Sequence, residues 1–452
     1  MALHTNSKVI LFSNDRALEE GFDRVKQQAL SWAFDDGEAG LTYEAALPGR
    51  EAFCMRDVSH QCIGAEVLGL HAHNKNMMRW FARVPGESTD WCSWWEIDRY
   101  GRPCPVDYAG DDDFWYNLPA NFDVTDALYR LYRWSGDGDY LDDPDFRRFI
   151  AVTLENYVRR WDRDGDGIPD RVLSEGRRGL ASYDESEFAC NRLKVGGDLI
   201  AIQARGTLSA AAMYGLRGQD ELRRVYEGKA RRLLDRLFSM RDPERGFPEG
   251  VGFDGAPVYT GHQHLKTLLY YRVLPPEQAL ECARQVWKEF PEMIVERASH
   301  VPEILFACGM NREGLEALRR MMSPTLRRRE YPEVSFSAVG ATAAGLMGID
   351  PDAASSTVAT LSGLSGDLEC RLLHVPVCGA EIAVAHRGES ASALTHESGA
   401  PLIWRACFRG EGTVEGHCTR VRTDPLTGGR VSFAEIPVGP GEEVECRFVK
   451  KD

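Results

Sequence analysis

Three stretches of this chain place carboxylates where acid–base chemistry would need them. The first is Ser182-Tyr183-Asp184-Glu185-Ser186-Glu187-Phe188, three acids just ahead of a helix of small apolar residues. A carboxyl group partly desolvated there has a raised pKa and holds a proton near neutrality as a general acid. Asp184, Glu185 and Glu187 all qualify, and helix capping accounts for one of them at most. The second stretch is Glu330-Tyr331-Pro332-Glu333-Val334-Ser335, again acid and aromatic before a buried helix. It makes Glu333 the candidate for a carboxylate opposite the first. The third is Arg56-Asp57, where Arg offers a planar fork of donors and the carboxylate accepts two hydroxyl protons. The alternative for that pair is an aspartate stabilising a helix start beside its arginine neighbour. Glycoside hydrolysis needs two such carboxyls, about 6.5–9.5 Å apart for inversion and about 5–5.5 Å apart for retention. Acids from the third and the sixth of six loops lie across a ring from one another, which predicts inversion.

Other residues suit binding. Trp91, Trp94, Trp95 and Glu96, followed by Asp113 and Trp115, interleave indoles with acids in a long loop. Pyranose rings stack on such faces while their hydroxyls meet the acids; a small core beneath a long loop is the competing reading. Tyr183 and Tyr331 flank the two acid loops. His262 and His264 stand at i and i+2 and do not share a helix face, so hydrogen bonding to substrate or to an acid is expected rather than a metal pair. The loop with Glu296, Arg297, His300 and Glu303 adds a further histidine to the binding set. Asp162, Asp164, Asp166 and Asp170 in DRDGDGIPD have the alternating oxygens of a calcium loop, although Leu173 holds the twelfth position and Glu175 comes two residues late. A structural calcium or an Asx-turn loop held by its own hydrogen bonds fits this stretch. No cofactor is required.

Six polar, aromatic-rich loops run into helices of small apolar residues, beginning near Asp57, Phe122, Gly197, Tyr259, Ser299 and Ser335. Amphipathic, charged helices such as 221–240 and 278–290 separate most of them. In 221–240 a stripe of Leu222, Val225, Tyr226, Ala230, Leu233, Leu234 and Leu237 opposes a wet face of arginines. Buried inner helices alternating with solvated outer ones predict a double ring of helices with all six loops at one mouth. Residues 1–50 hold a strand candidate (8–12) and an outer helix (18–32). Beyond Pro351 short alternating runs at 369–375, 381–386, 402–408, 431–436 and 443–449 predict a small antiparallel β-sandwich. The expected division is 1–355, helical, and 356–452, β.

The 452 residues carry a formal charge of −15, which argues against nucleic acid and anionic membrane partners. No apolar run is long enough to span a bilayer, and the N-terminal apolar run is too short for a signal-peptide core. The 12 cysteines lack ligand spacing and read as reduced core thiols of a cytoplasmic protein. A monomer or small homo-oligomer acting on an oligosaccharide or glycoside is expected.

The order of loops over residues 40–350 resembles the six-hairpin glycosidases: glucoamylases, trehalases, processing α-glucosidases and α-L-rhamnosidases. The resemblance implies a mainly α fold, an (α/α)6 barrel closed by a small β-sandwich, and an exo-acting glycoside hydrolase. Arg56-Asp57 matches the pair that holds the terminal sugar in glucoamylase-like members. Ser182-Tyr183-Asp184-Glu185-Ser186 is similar to the trehalase-like acid motif, which gives Asp184 the acid role with Glu185 and Glu187 as rivals. The general base of the group precedes the sixth inner helix, at Glu333. The trehalase signature stretches are absent, and the additional N-terminal β-domains usual in rhamnosidases have no counterpart. The competing functions are a lyase on the same toroid, recruiting Tyr183, His262, His300 or Arg56 as base; a uronide hydrolase; and a carbohydrate-binding protein without turnover.

Overall fold

The computed structural model describes residues 2–172, 178–186, 191–259 and 263–451. Helices alternate between two kinds along the chain: α1 (Arg16–Leu30), α2 (Met55–Val67), α3 (His71–Arg83), α4 (Ala120–Ser135), α5 (Pro144–Val152), α6 (Gly197–Leu216), α7 (Asp220–Ser239), α8 (Gln263–Tyr270), α9 (Pro276–Glu289), α10 (Val301–Ala307), α11 (Asn311–Met321) and α12 (Pro332–Gly340). The even-numbered set is largely buried around its circumference, and α6 and α12 are rich in Ala, Gly and Ser. Fifteen of the 20 residues of α6 are buried, whereas α7, of equal length, buries only Tyr226, Ala230, Leu233 and Leu237. The predicted α7 stripe is therefore too wide at its start: Leu222 and Val225 are exposed.

Each even-numbered helix packs on the next in chain order, α2 on α4, α4 on α6, α6 on α8, α8 on α10 and α10 on α12, and α12 packs back on α2. Glycines set two of these approaches. A Cβ on Gly64 of α2 would stand 2.0 Å from the Phe336 carbonyl oxygen of α12, and one on Gly206 of α6 would stand 2.5 Å from that of Phe122 in α4. Only glycine permits backbones to touch in this way.

The C-terminal part is β-rich. One sheet carries Glu369–Val377, Ala380–Arg387, Ala391–Gly399, Glu443–Lys450 and Gly412–Val414, and its outer edge is Ile10–Ser13 from the chain's beginning, antiparallel to Glu369–Val377 with Ile10 opposite Leu373. The second sheet orders Ile349–Asp352, Thr357–Leu361, Leu402–Arg409, Arg430–Val438 and Arg420–Thr423. The expected division at 355/356 thus falls inside the hairpin Ile349–Leu361, and the strand near residues 8–12 serves the β part. The sheets are not wholly antiparallel, because Thr357–Leu361 runs parallel to Leu402–Arg409. Trp404, fully buried, donates its indole N–H to the Thr360 hydroxyl across that pair.

Among the described residues no helix is long and apolar enough to cross a membrane, and the cysteines are free thiols, most of them buried.

Candidate active site

A cavity of about 830 Å³ is lined by residues that precede or begin five of the even-numbered helices, among them Arg56, Asp184, Lys266, His300 and Glu333. The sequence-predicted Glu185, Tyr183 and Tyr331 also line it. The two loops in which an acid and a base were expected are therefore brought to one space.

Glu333, in the first turn of α12, is buried. Burial alone would protonate it. His300, at the N-cap of α10, outweighs that by donating from Nε2 to Glu333 Oε1 at 2.5 Å. The Ser337 hydroxyl faces His300 Nδ1 at 3.3 Å, which suits the tautomer with its proton on Nε2. His60 adds a second imidazole, with Nδ1 3.8 Å from the same oxygen. The two histidines hold the Glu333 carboxyl well below the usual glutamate range. Burial opposes charge on His60, but Asp123, 3.1 Å from its Nε2, and Glu333 raise its pKa. His60, His300 and Glu333 are close enough to ligate a metal ion. The direct imidazole–carboxylate hydrogen bond occupies one ligand atom each of His300 and Glu333.

Asp184 lies on a loop strapped to the start of α6. Asp198 in the first turn of that helix accepts the Ser182 hydroxyl (3.0 Å) and the Tyr183 N–H (2.7 Å). The Ser182 hydroxyl in turn receives the Asp184 N–H, and Asp184 Oδ1 receives the Ser186 N–H at 2.9 Å. Behind Asp184 stands Glu249, fully buried in the loop before α8. Burial, with Asp184 alongside, pushes the Glu249 carboxyl up to about 9. Burial also works against an ionised Asp184, but the hydrogen bond from Glu249 and the Ser186 N–H bring it below its ordinary value. Two touching carboxyls cannot both ionise in such a site, so the pair keeps one proton at neutrality. Glu249 holds it and Asp184 presents the pair to the cavity.

Glu249 makes stability depend on pH. The folded chain keeps its proton up to about 9, whereas an unfolded glutamate loses it near 4.5. The folded state binds the extra proton between those values, so this contribution to stability falls as pH rises through that window. Glu249→Gln is expected to melt progressively higher than wild type as pH is raised across it. Calorimetric melting at a series of pH values checks this, and parallel curves would contradict it.

Arg56 is held by four neighbours. Its Nη1 donates to Glu185 at 2.8 Å, its Nε to Asp57 at 3.3 Å, and its guanidinium lies over the rings of Trp95 and Tyr183 at 5.6 and 5.5 Å. Glu185 is half exposed and serves this ion pair. Asp57 is buried behind Arg56 and does not line the cavity; burial raises it to about 7, with Arg56 pulling down and Glu333 pushing up. Arg56→Ala is expected to raise KM about 10- to 100-fold with a smaller change in kcat, read by steady-state kinetics. An effect on kcat alone would place Arg56 elsewhere in the reaction.

Several expected binding residues are not at the cavity. Trp94, Trp95 and Trp115 pack with Tyr108 and Phe114 around a separate small void beneath the long loop. Trp91 is partly buried against the same core, and its carbonyl receives the Asn121 side chain. Glu96 is buried and paired with Arg50 at 2.5 Å, and Asp113 is paired with Arg178 at the surface. The indoles of this loop pack inward and join the main hydrophobic core. Glu187 and His262 lie outside the described residues, as do Leu173 and Glu175.

In the 162–170 loop the Asp162 carboxylate receives the N–H groups of Gly165, Asp166 and Gly167. Asp162, Asp164 and Asp170 bring oxygens together, whereas Asp166 is turned to the Ile168 N–H. The Lys194 ammonium lies 2.9 Å from Asp164 and 3.0 Å from Asp170.

Sequence reasoning passed over Glu249, Lys266, Asp198 and His60 as site residues. A lysine within an otherwise apolar helix (HLKTLLY) was the available signal for Lys266; Glu249 sits in a turn (FPEG) with no pattern around it.

No known family description matches the sequence, and no curated protein is similar to it. Solved structures share its fold. The α-L-rhamnosidase from Dictyoglumus thermophilum aligns over 99% of this chain and 51% of its own, at 12% identity and TM-score 0.63. A rhamnosidase from Klebsiella oxytoca with rhamnose bound aligns over 77% of this chain and 66% of its own, at 14% identity and TM-score 0.53. A glycosidase in complex with glucose aligns over 73% of this chain and 96% of its own, at 13% identity and TM-score 0.51. The chain spans about half the length of the Dictyoglumus enzyme. At these identities the likeness is one of fold: a helical domain with a β-rich C-terminal part, in a form that known glycosidases adopt.

Proposed function

We propose that this protein is an exo-acting, inverting glycoside hydrolase built on a closed ring of six inner and six outer helices. The succession of inner-helix contacts, with α12 returning to α2, supports the (α/α)6 reading. One observation carries the chemistry. A carboxyl pair holding one proton (Asp184 with Glu249) and a carboxylate kept ionised by two imidazoles (Glu333) face a single cavity. Environments that push carboxyl groups apart in pKa assign the acid and the base.

In this reading the Asp184 side of the pair delivers its proton to the glycosidic oxygen as the bond to the anomeric carbon breaks. Glu249 supplies that proton from behind. Glu333 removes a proton from the water that attacks the opposite face of the ring. That proton neutralises the Glu333 carboxylate, and the hydrogen bond from His300 keeps the carboxyl in place. Arg56, fixed by Glu185 and Asp57, orients the terminal sugar. A lyase draws no support from this arrangement, because burial and Asp123 push the Tyr183 phenol well above its ordinary value and His300 is tied to Glu333.

Proton NMR of the first-formed sugar tests the stereochemistry. Aryl glycosides, including rhamnosides, glucosides and glucuronides, are the substrates to screen. The anomer opposite to that of the substrate is expected; release with retained configuration, or an unsaturated product absorbing in the near ultraviolet, would overturn the reading.

A further inference from the structure

Among the described residues, one half-buried cation at the cavity has no carboxylate within ion-pair distance. Lys266 projects from α8, whose neighbouring residues are largely buried, and its side chain lines the cavity. Lys266 is half-buried, and partly removing an ammonium from water without a partner is costly, so its retention calls for an anion. Of the other cations nearby, Arg56 is paired with Glu185 and Asp57 and Arg328 with Glu296, while Lys288, which also lines the cavity, is exposed to solvent. Among the described residues no carboxylate lies within ion-pair distance of Lys266. Glu333 and Asp184 are near enough to be felt, but their oxygens are already served, by two imidazoles and by Glu249 and the Ser186 N–H respectively. Burial lowers the ammonium's pKa to about 8, with Glu333 opposing and Arg56 and Arg297 adding to the fall, so it stays charged at neutrality. Arg297 opens to the same space; it is 39% exposed and reaches Asp184 only at 3.9 Å.

We propose that the cavity recognises a sugar carrying a carboxylate, with the Lys266 ammonium and the Arg297 guanidinium as its counter-ions. The substrate class is then a glycoside of a uronic acid rather than of a neutral hexose or deoxyhexose. This rests on the hydrolase reading for its catalytic sense, but the recognition is testable without turnover. An arginine fork and a lysine point charge converging on one space match the two oxygens of a carboxylate.

The test is calorimetric titration of the full chain with D-glucuronic and D-galacturonic acids, against D-glucose, D-galactose and L-rhamnose. Wild type, Lys266→Met and Lys266→Arg are compared, with Lys266→Gln in reserve if the methionine variant does not fold. One acid is expected to bind roughly tenfold more tightly than every neutral sugar. That margin should vanish in Lys266→Met and persist in Lys266→Arg. Equal binding of acids and neutral sugars, or a margin untouched by Lys266→Met, overturns the proposal. Its failure and that of the hydrolase reading differ. Acid preference without cleavage of any aryl glycoside removes the hydrolase and leaves the carboxylate site. Cleavage confined to neutral glycosides does the reverse.

Discussion

Glu333→Gln is expected to lower kcat by about 10²- to 10⁴-fold, the usual worth of a positioned general base. The substitution keeps shape and leaves an amide oxygen to accept from His300, so the hydrogen bond at that end survives. What is lost is the proton acceptor for the attacking water. KM should change little, because binding is carried by other groups. The loss should be uniform across leaving groups, since water activation is common to all substrates. Kinetics with a series of aryl glycosides checks this. A variant retaining near-normal kcat would show that another group is the base.

Asp184→Asn is expected to cost a similar factor, about 10²- to 10⁴-fold, on substrates with poor leaving groups. The dependence on leaving group should differ. A dinitrophenolate departs without a proton, so the activated substrate should recover most of its rate, whereas an alkyl or sugar leaving group should not. This contrast separates the two carboxyls by role. The Asn side chain also ends the sharing of a proton with Glu249, leaving that carboxyl buried beside a neutral amide. If Asp184→Asn loses the activated and the unactivated substrate equally, Asp184 does not act as the proton donor.

Much of this architecture was legible from residue patterns. Helices α6 and α7 differ in composition in a way that follows from what each faces, and α6 begins at Gly197 as expected. The strands Leu402–Arg409 and Glu443–Lys450 lie within a residue of their predicted ends. Ala391–Gly399 went unread because ASALTHESG has few of the branched and aromatic residues that mark strands, and it is paired on both sides by tertiary neighbours. The same division holds at the site. That Asp184 and Glu333 would face one cavity was legible because each stands in an acidic, aromatic loop before a buried helix. Glu249 was not, because its chemistry comes from touching a carboxyl 65 residues earlier in the chain. The tryptophan-rich loop misled for a related reason. Indoles beside acids describe a sugar subsite and the underside of a long loop packed on the core equally well, and only packing chooses between them.

The pairing of Ile10–Ser13 with Glu369–Val377 has a consequence for biogenesis. A strand made among the first residues must wait for its partner while more than 350 further residues are translated. At a synthesis rate of about 5–20 residues per second the wait is on the order of 20–70 seconds. Throughout it Leu11, fully buried in the finished protein, and the free hydrogen-bonding edge beside it are open to other chains. Ribosome-bound intermediates of this protein should therefore be clients of holding chaperones until the final β-hairpins emerge and capture the leading strand.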